Sequence, residues 1–161
     1  MCAKVIYKGK EEEAYSLSIY ENHAREILRG EKTVEIRSMT PKNWAMFINK
    51  DVKQKWDDAC HANLPQEELD KFIEEHGPWP FMKDVFAIHF YDRGGRFSLD
   101  VVLDEVGFSP INRDTIENFN EHFNFHDYDN EWQQYTNLAD CDKPHVFWFH
   151  VLEVIGHTGL D

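Results

Sequence analysis

A chain of 161 residues with 42% hydrophobic side chains, among them 12 Phe, 6 Tyr and 5 Trp, carries enough apolar surface for one domain with its own core. Its 17 basic and 30 acidic residues give a net charge of -13, which disfavours duplex DNA because phosphate contacts draw on Lys and Arg. A mean hydropathy of -0.63, with no run approaching the ~20 apolar residues of a membrane helix, argues against a membrane protein.

The charge is uneven. Residues 1–50 hold nine Lys/Arg against seven Asp/Glu, whereas 51–110 hold six against thirteen and 111–161 hold two against ten. A locally basic first third in an acidic chain suits a short strand, one nucleotide or a small ligand better than a long polyanion; excess acid also serves solubility. Cys2, Cys60 and Cys141 are widely spaced and form no CxxC pair, and Met1-Cys2-Ala3-Lys4 is not an apolar leader. Reduced thiols and a cytoplasmic location are the expectation.

In chain order, Val5-Ile6-Tyr7 reads as an edge strand or arm, and Lys10-Glu11-Glu12-Glu13 as a solvated tether. Tyr15, Leu17 and Ile19 alternate with Ser16, Ser18 and Tyr20, a strand pattern. Glu21 to Arg29 repeats Ala24, Ile27 and Leu28 at helical spacing, with Asn22 as cap and Gly30 as the left-handed residue that ends the helix. Thr33-Val34-Glu35-Ile36-Arg37 then alternates, so Val34 and Ile36 share one face and Thr33, Glu35 and Arg37 the other. An acid between two bases on one face beside a glycine turn can form a small polar site, or simply keep an edge strand soluble.

Residues 42–80 change character. Asn43 to Ile48 is ambiguous between strand and helix, Lys53 to His61 reads as helical, Pro65 opens another helix, and Gly77-Pro78-Trp79-Pro80 breaks the chain. No Gly/Ser linker sets the segment apart, so a helical insertion within a single domain spanning 1–161 is expected. Val85 to Tyr91, a turn at Asp92-Arg93-Gly94-Gly95, and Arg96 to Phe108 suggest a hairpin. Thr115 to Phe123 and Asn130 to Leu138 read as short helices, and His145 to Ile155 as an interior strand. Strands in both halves with irregular helices between them predict an α+β fold built on a small mixed or barrel-like sheet.

The segment from Leu17 to Arg37 resembles the ASCH family of the PUA-like superfamily. The resemblance rests on Leu17-Ser18-Ile19, on Ile27-Leu28-Arg29-Gly30, and on a G-x-K-x-x-E-x-R signature formed by Gly30, Lys32, Glu35 and Arg37. It implies a β-barrel of about five or six strands with flanking helices and a cleft lined by the signature. It further implies binding of RNA, a nucleotide or a modified nucleobase. Some relatives are hydrolases of single-stranded RNA or of an acylated cytidine. In that last branch a threonine three residues after the signature lysine is the nucleophile. Here that position is Glu35, which cannot take the same part.

The ligand-binding candidates are therefore Ser18, Gly30, Lys32, Thr33, Glu35, Arg37 and Trp44, with Lys32 and Glu35 as the catalytic candidates if there is turnover. Lys32 can hold phosphate, or act as a base if its pKa falls. Glu35 can accept from the exocyclic amine of cytosine or adenine, or pair with its basic neighbours. Arg37 can grip phosphate with its planar fork. Tyr20, Trp44 and Tyr91 are stacking candidates, and Tyr20, Ser18 and His89 are possible acid/base partners. His122 and His126 lie four apart without the glutamate of an HExxH motif, so scattered histidines are preferred to a metal site, and no cofactor is expected. The acidic remainder offers a surface for a basic protein partner.

Overall fold

The computed structural model describes residues 2–62, 65–76 and 81–161. The chain divides into two compact units, Met1–Ser38 with Val85–Asp161, and Met39–Asp84.

The first unit is a mixed α+β structure on a six-stranded sheet. Its strands are β1 (Cys2–Tyr7), β2 (Lys10–Ser18), β3 (Val34–Ser38), β4 (Ala87–Tyr91), β5 (Ser98–Pro110) and β6 (His145–Thr158), in the order β1-β2-β4-β5-β6-β3. β2 and β4 run parallel and the other pairs antiparallel. Helix α1 (Glu21–Leu28) follows β2, and α5 (Arg113–Phe123) follows β5. The second unit holds α2 (Pro41–Phe47), α3 (Lys50–His61) and α4 (Gln66–His76). No helix among the described residues is long and apolar enough to cross a membrane.

The expected barrel is not formed. The sheet is open, with β1 and β3 at its two ends. It nevertheless curls, as twisted strands do, and brings Tyr15 of β2 edge-on to Phe149 of β6 at 5.8 Å between ring centroids. β3 reaches the end of β2 through a side chain instead of a ladder: Arg37 Nη2 donates to the Ser18 carbonyl at 2.8 Å.

The Lys10–Glu13 tether is also corrected, since these residues form the first half of β2. Lys8 (φ 50) and Gly9 (φ 75) supply the two positive-φ residues of a tight hairpin turn, which pairs Tyr7 with Lys10 and carries the acidic run into the ladder. Lys4 and Glu11 sit across that ladder at 3.7 Å. Asn22 is inside α1; the cap position is Tyr20, which contributes no side-chain bond. Asn43 falls in α2, whose cap is Thr40, with Pro41 in the first turn. Of the helix expected over Asn130–Leu138, a 3-10 turn at Glu131–Tyr135 forms. The Gly77-Pro78-Trp79-Pro80 break lies outside the described residues.

The core of the first unit packs Ile88, Phe90, Leu99, Val101, Phe147 and Phe149, all fully buried. On the other side of β6, α5 lays Phe119 and Phe123 against Trp148, at 6.2 and 5.5 Å between ring centroids. α5 is capped by Asn112, which accepts from the Thr115 amide at 2.8 Å, and ends at Asn124 with φ 48. Gly107 lies opposite Trp148 in the register, and a Cβ there would fall 2.2 Å from the indole. The indole Nε1 donates to Ser109 Oγ at 3.0 Å.

Candidate functional site

The signature begins where α1 ends. Gly30 adopts φ 77, its amide bonds the Ile27 carbonyl at 3.0 Å, and the Glu31 amide bonds the Glu26 carbonyl at 2.9 Å. This is the paired hydrogen-bond pattern of a Schellman stop, and it needs a residue at ease in the left-handed region. Nothing lies within 4 Å of where a Cβ would stand, so backbone conformation, not crowding, calls for glycine here. The stop turns the chain directly into β3.

β3 pairs antiparallel with β6, setting Glu35 opposite Phe149 and Arg37 opposite Phe147. Directly opposed residues share a face, so the charged face of β3 lies on the same side of the sheet as two fully buried phenylalanines. Glu35 is accordingly only 6% exposed, more buried than the apolar Ile36. Of the two readings of this face, a small polar site or a solvated edge, the burial of Glu35 goes against the solvated edge.

Three charged heads converge there. Lys32 Nζ lies 3.4 Å from Glu35 Oε2, and Arg37 Nε lies 3.3 Å from Glu35 Oε1. The side chains of Lys32 and Arg37 are 13% and 22% exposed. Yet Glu35 Oε2 and Arg37 Nε are buried without a hydrogen bond among the described residues. Buried polar atoms nearly always have such a partner. Two cations and one carboxylate leave the cluster a net positive charge. It can donate to phosphate or a carbonyl from Lys32 and Arg37, and accept an amine proton at Glu35.

The other candidates divide. Ser18 contributes its backbone carbonyl to Arg37. Thr33 Oγ1 donates to the Phe123 carbonyl at 3.3 Å and so ties the signature to the end of α5. Tyr20 is 79% exposed, an open ring two residues beyond Ser18. Tyr91 stacks on His89 at 6.4 Å, and His89 Nδ1 is 2.5 Å from Asp100. Trp44 lies on α2 in the second unit, half-buried. α5 stops at Phe123, so His122 and His126 share no helix face; His126 instead pairs with Asp129 at 3.4 Å. Two cavities lie at α5, one of about 450 Å³ beside Ser109, Asn118 and Phe119 and one of about 250 Å³ beside Asn112, Trp132 and Lys143.

Tyr128 was not among the candidates. Burial holds its phenol above the ordinary tyrosine range, reinforced by the negative charges of Glu131, Glu35 and Asp127. In the sequence it is visible only as the centre of the acidic run Asp127-Tyr128-Asp129.

No family model matches the chain, and no curated protein is similar to it. Two solved structures are similar. The crystal structure of ASCH from Zymomonas mobilis shares 13% identity at a TM-score of 0.41, over 86% of this chain and 66% of that one. A variant of the same Zymomonas mobilis protein shares 16% at a TM-score of 0.40, over 91% of this chain and 73% of that one. The match thus leaves about a third of the first structure uncovered. Both are ASCH structures, the family that the Leu17–Arg37 segment resembles.

Proposed function

We propose that the Lys32–Glu35–Arg37 cluster binds an amino-bearing nucleobase, presented as a free nucleotide or in a short single-stranded RNA, within an ASCH-like domain into which Met39–Asp84 is inserted. Glu35 accepts from the exocyclic amine, while Lys32 and Arg37 donate to a ring carbonyl or a phosphate. The observation that carries this reading is Glu35 itself: a buried carboxylate between two cations with one oxygen lacking a hydrogen bond. A purely structural triad would be expected to satisfy its polar atoms, because a half-satisfied buried network is costly. An incoming amine supplies the missing donor.

Cytosine and uracil test this directly, since they differ in an amine against a carbonyl at the same ring position. A hydrogen bond to a charged partner is worth about 1.5–3 kcal/mol, roughly 10- to 150-fold in affinity. Calorimetric titration is expected to show CMP binding at least about tenfold more tightly than UMP. Glu35→Gln, which can present either an acceptor or a donor, is expected to erase most of that preference while leaving the fold intact. Equal affinity for the two nucleotides in the wild type, or an unchanged preference in Glu35→Gln, would refute the assignment.

A further inference from the structure

The charged heads of the signature meet in a definite order. The Lys32 amide bonds the Glu26 carbonyl at 3.2 Å, which ties this residue to the end of α1. Glu35 and Arg37 are held by the register of β3 on β6. Arg37 is fixed again at its head, where Nη2 donates to the Ser18 carbonyl at 2.8 Å. From these anchors the two cations approach opposite oxygens of one carboxylate. Lys32 Nζ lies 3.4 Å from Glu35 Oε2, and Arg37 Nε lies 3.3 Å from Oε1.

Neither approach completes the hydrogen bonding. Arg37 Nε is within reach of Oε1, yet it is buried with no hydrogen bond among the described residues, and so is Oε2. The carboxylate therefore needs a donor and the guanidinium an acceptor, and burial makes both shortfalls costly. Lys32 brings its own N–H donors to Oε2 from the side away from Arg37. An amine accepted at Oε2 thus has a cationic donor on each flank: Lys32 on one and, beyond Oε1, Arg37 on the other.

A ligand that matches this order presents a donor between two acceptors. The exocyclic amine of adenine has a ring nitrogen lone pair on each flank, N7 on one and N1 on the other. The amine of cytosine has one such nitrogen and a C–H on its second flank. The amine of guanine lies between a ring nitrogen and a ring N–H, which would set a donor against a cation. We infer that the site prefers adenine among the bases, with Glu35 accepting from its amine while Lys32 and Arg37 each donate to one flanking ring nitrogen. The inference rests on the nucleobase reading of the Glu35 cluster and adds to it the choice among amino-bearing bases.

The experiment is a calorimetric titration of AMP, GMP, CMP and UMP into the wild type, together with 1-deaza-AMP and 7-deaza-AMP. Each analogue replaces one flanking nitrogen by C–H and keeps the amine and the ring size, so no variant has to fold. AMP is expected to bind about tenfold more tightly than CMP, and each analogue about tenfold more weakly than AMP. GMP, a purine of similar stacking area, is expected to bind at least about tenfold more weakly than AMP. Lys32→Met is expected to bring the affinities of AMP and CMP close together, because one flanking donor then remains. The adenine assignment is overturned alone if CMP outbinds UMP but AMP does not outbind CMP, or if GMP or either analogue matches AMP. An AMP-to-CMP ratio unchanged in Lys32→Met overturns it as well. If CMP and UMP bind equally, or no nucleotide binds, the nucleobase reading falls and takes this preference with it.

Discussion

Glu35 sits where a lone carboxylate would be costly. A buried charge is tolerated when it is paired, and removing one partner leaves the other exposed to the full desolvation penalty. Arg37 does two things at once: it neutralises Glu35 at 3.3 Å and donates to the Ser18 carbonyl at 2.8 Å. Arg37→Met is therefore expected to lower unfolding stability by about 1–3 kcal/mol, below the fully buried value because the guanidinium is part-exposed. Arg37→Met combined with Glu35→Gln should cost clearly less than the two single changes added together, since each single change breaks the Glu35–Arg37 pair and the double variant loses it only once. Urea unfolding of the four proteins decides it; strict additivity would mean that the two groups do not interact. The sharing of one face by Glu35 and Arg37 was legible in the alternation of residues 33–37. The burial of that face was not. A period of two states which side chains point together, and is silent on what lies opposite; here Phe147 and Phe149 lie opposite, on a strand more than a hundred residues away in the chain.

The elements were more readable than their ends. α1 and its glycine stop follow from Ala24, Ile27 and Gly30, because helical spacing and a left-handed residue are local properties. The Lys10–Glu13 run misleads because charge suggests solvent, yet an edge hairpin tolerates charge on its open side and the Lys8-Gly9 turn forces pairing. Closure into a barrel, implied by family resemblance, depends on whether two distant strands pair, and in this chain β1 and β3 remain sheet ends. The contact of β5 with β6 shows how one residue can set such an element. The Trp148 indole occupies the space over Gly107 and is held there by Ser109. Any Cβ at 107 must push the ring or bend the strand, and overpacking of this kind costs about 1–3 kcal/mol. Gly107→Ala is expected to unfold at lower urea by that margin, with tryptophan emission shifted to the red as the indole leaves its pocket. A variant as stable as the wild type would mean that the ring repacks freely.

For the whole molecule, the charge distribution decides how much of a nucleic acid can be engaged. The net charge is -13, and among the signature positions only Lys32 and Arg37 offer cations to a backbone. Residues 111–161, which supply α5 and β6, carry two bases against ten acids. A ligand longer than a few nucleotides leaves the cationic patch and meets an acidic surface that repels it. Each phosphate neutralised on a single strand contributes roughly -0.7 to the slope of log affinity against log salt, so two contacts give about -1.4. Binding of short cytosine-containing RNAs should therefore show a slope no steeper than about -1.4, and a 20-nucleotide strand should bind no more tightly, per cytosine, than a trinucleotide. Fluorescence anisotropy across a salt series with strands of both lengths measures this. A slope several times steeper, or affinity that climbs steadily with length, would require a continuous basic track. Such a track would have to be built from cations other than Lys32 and Arg37, and the ligand would then be read along its backbone and not at one base.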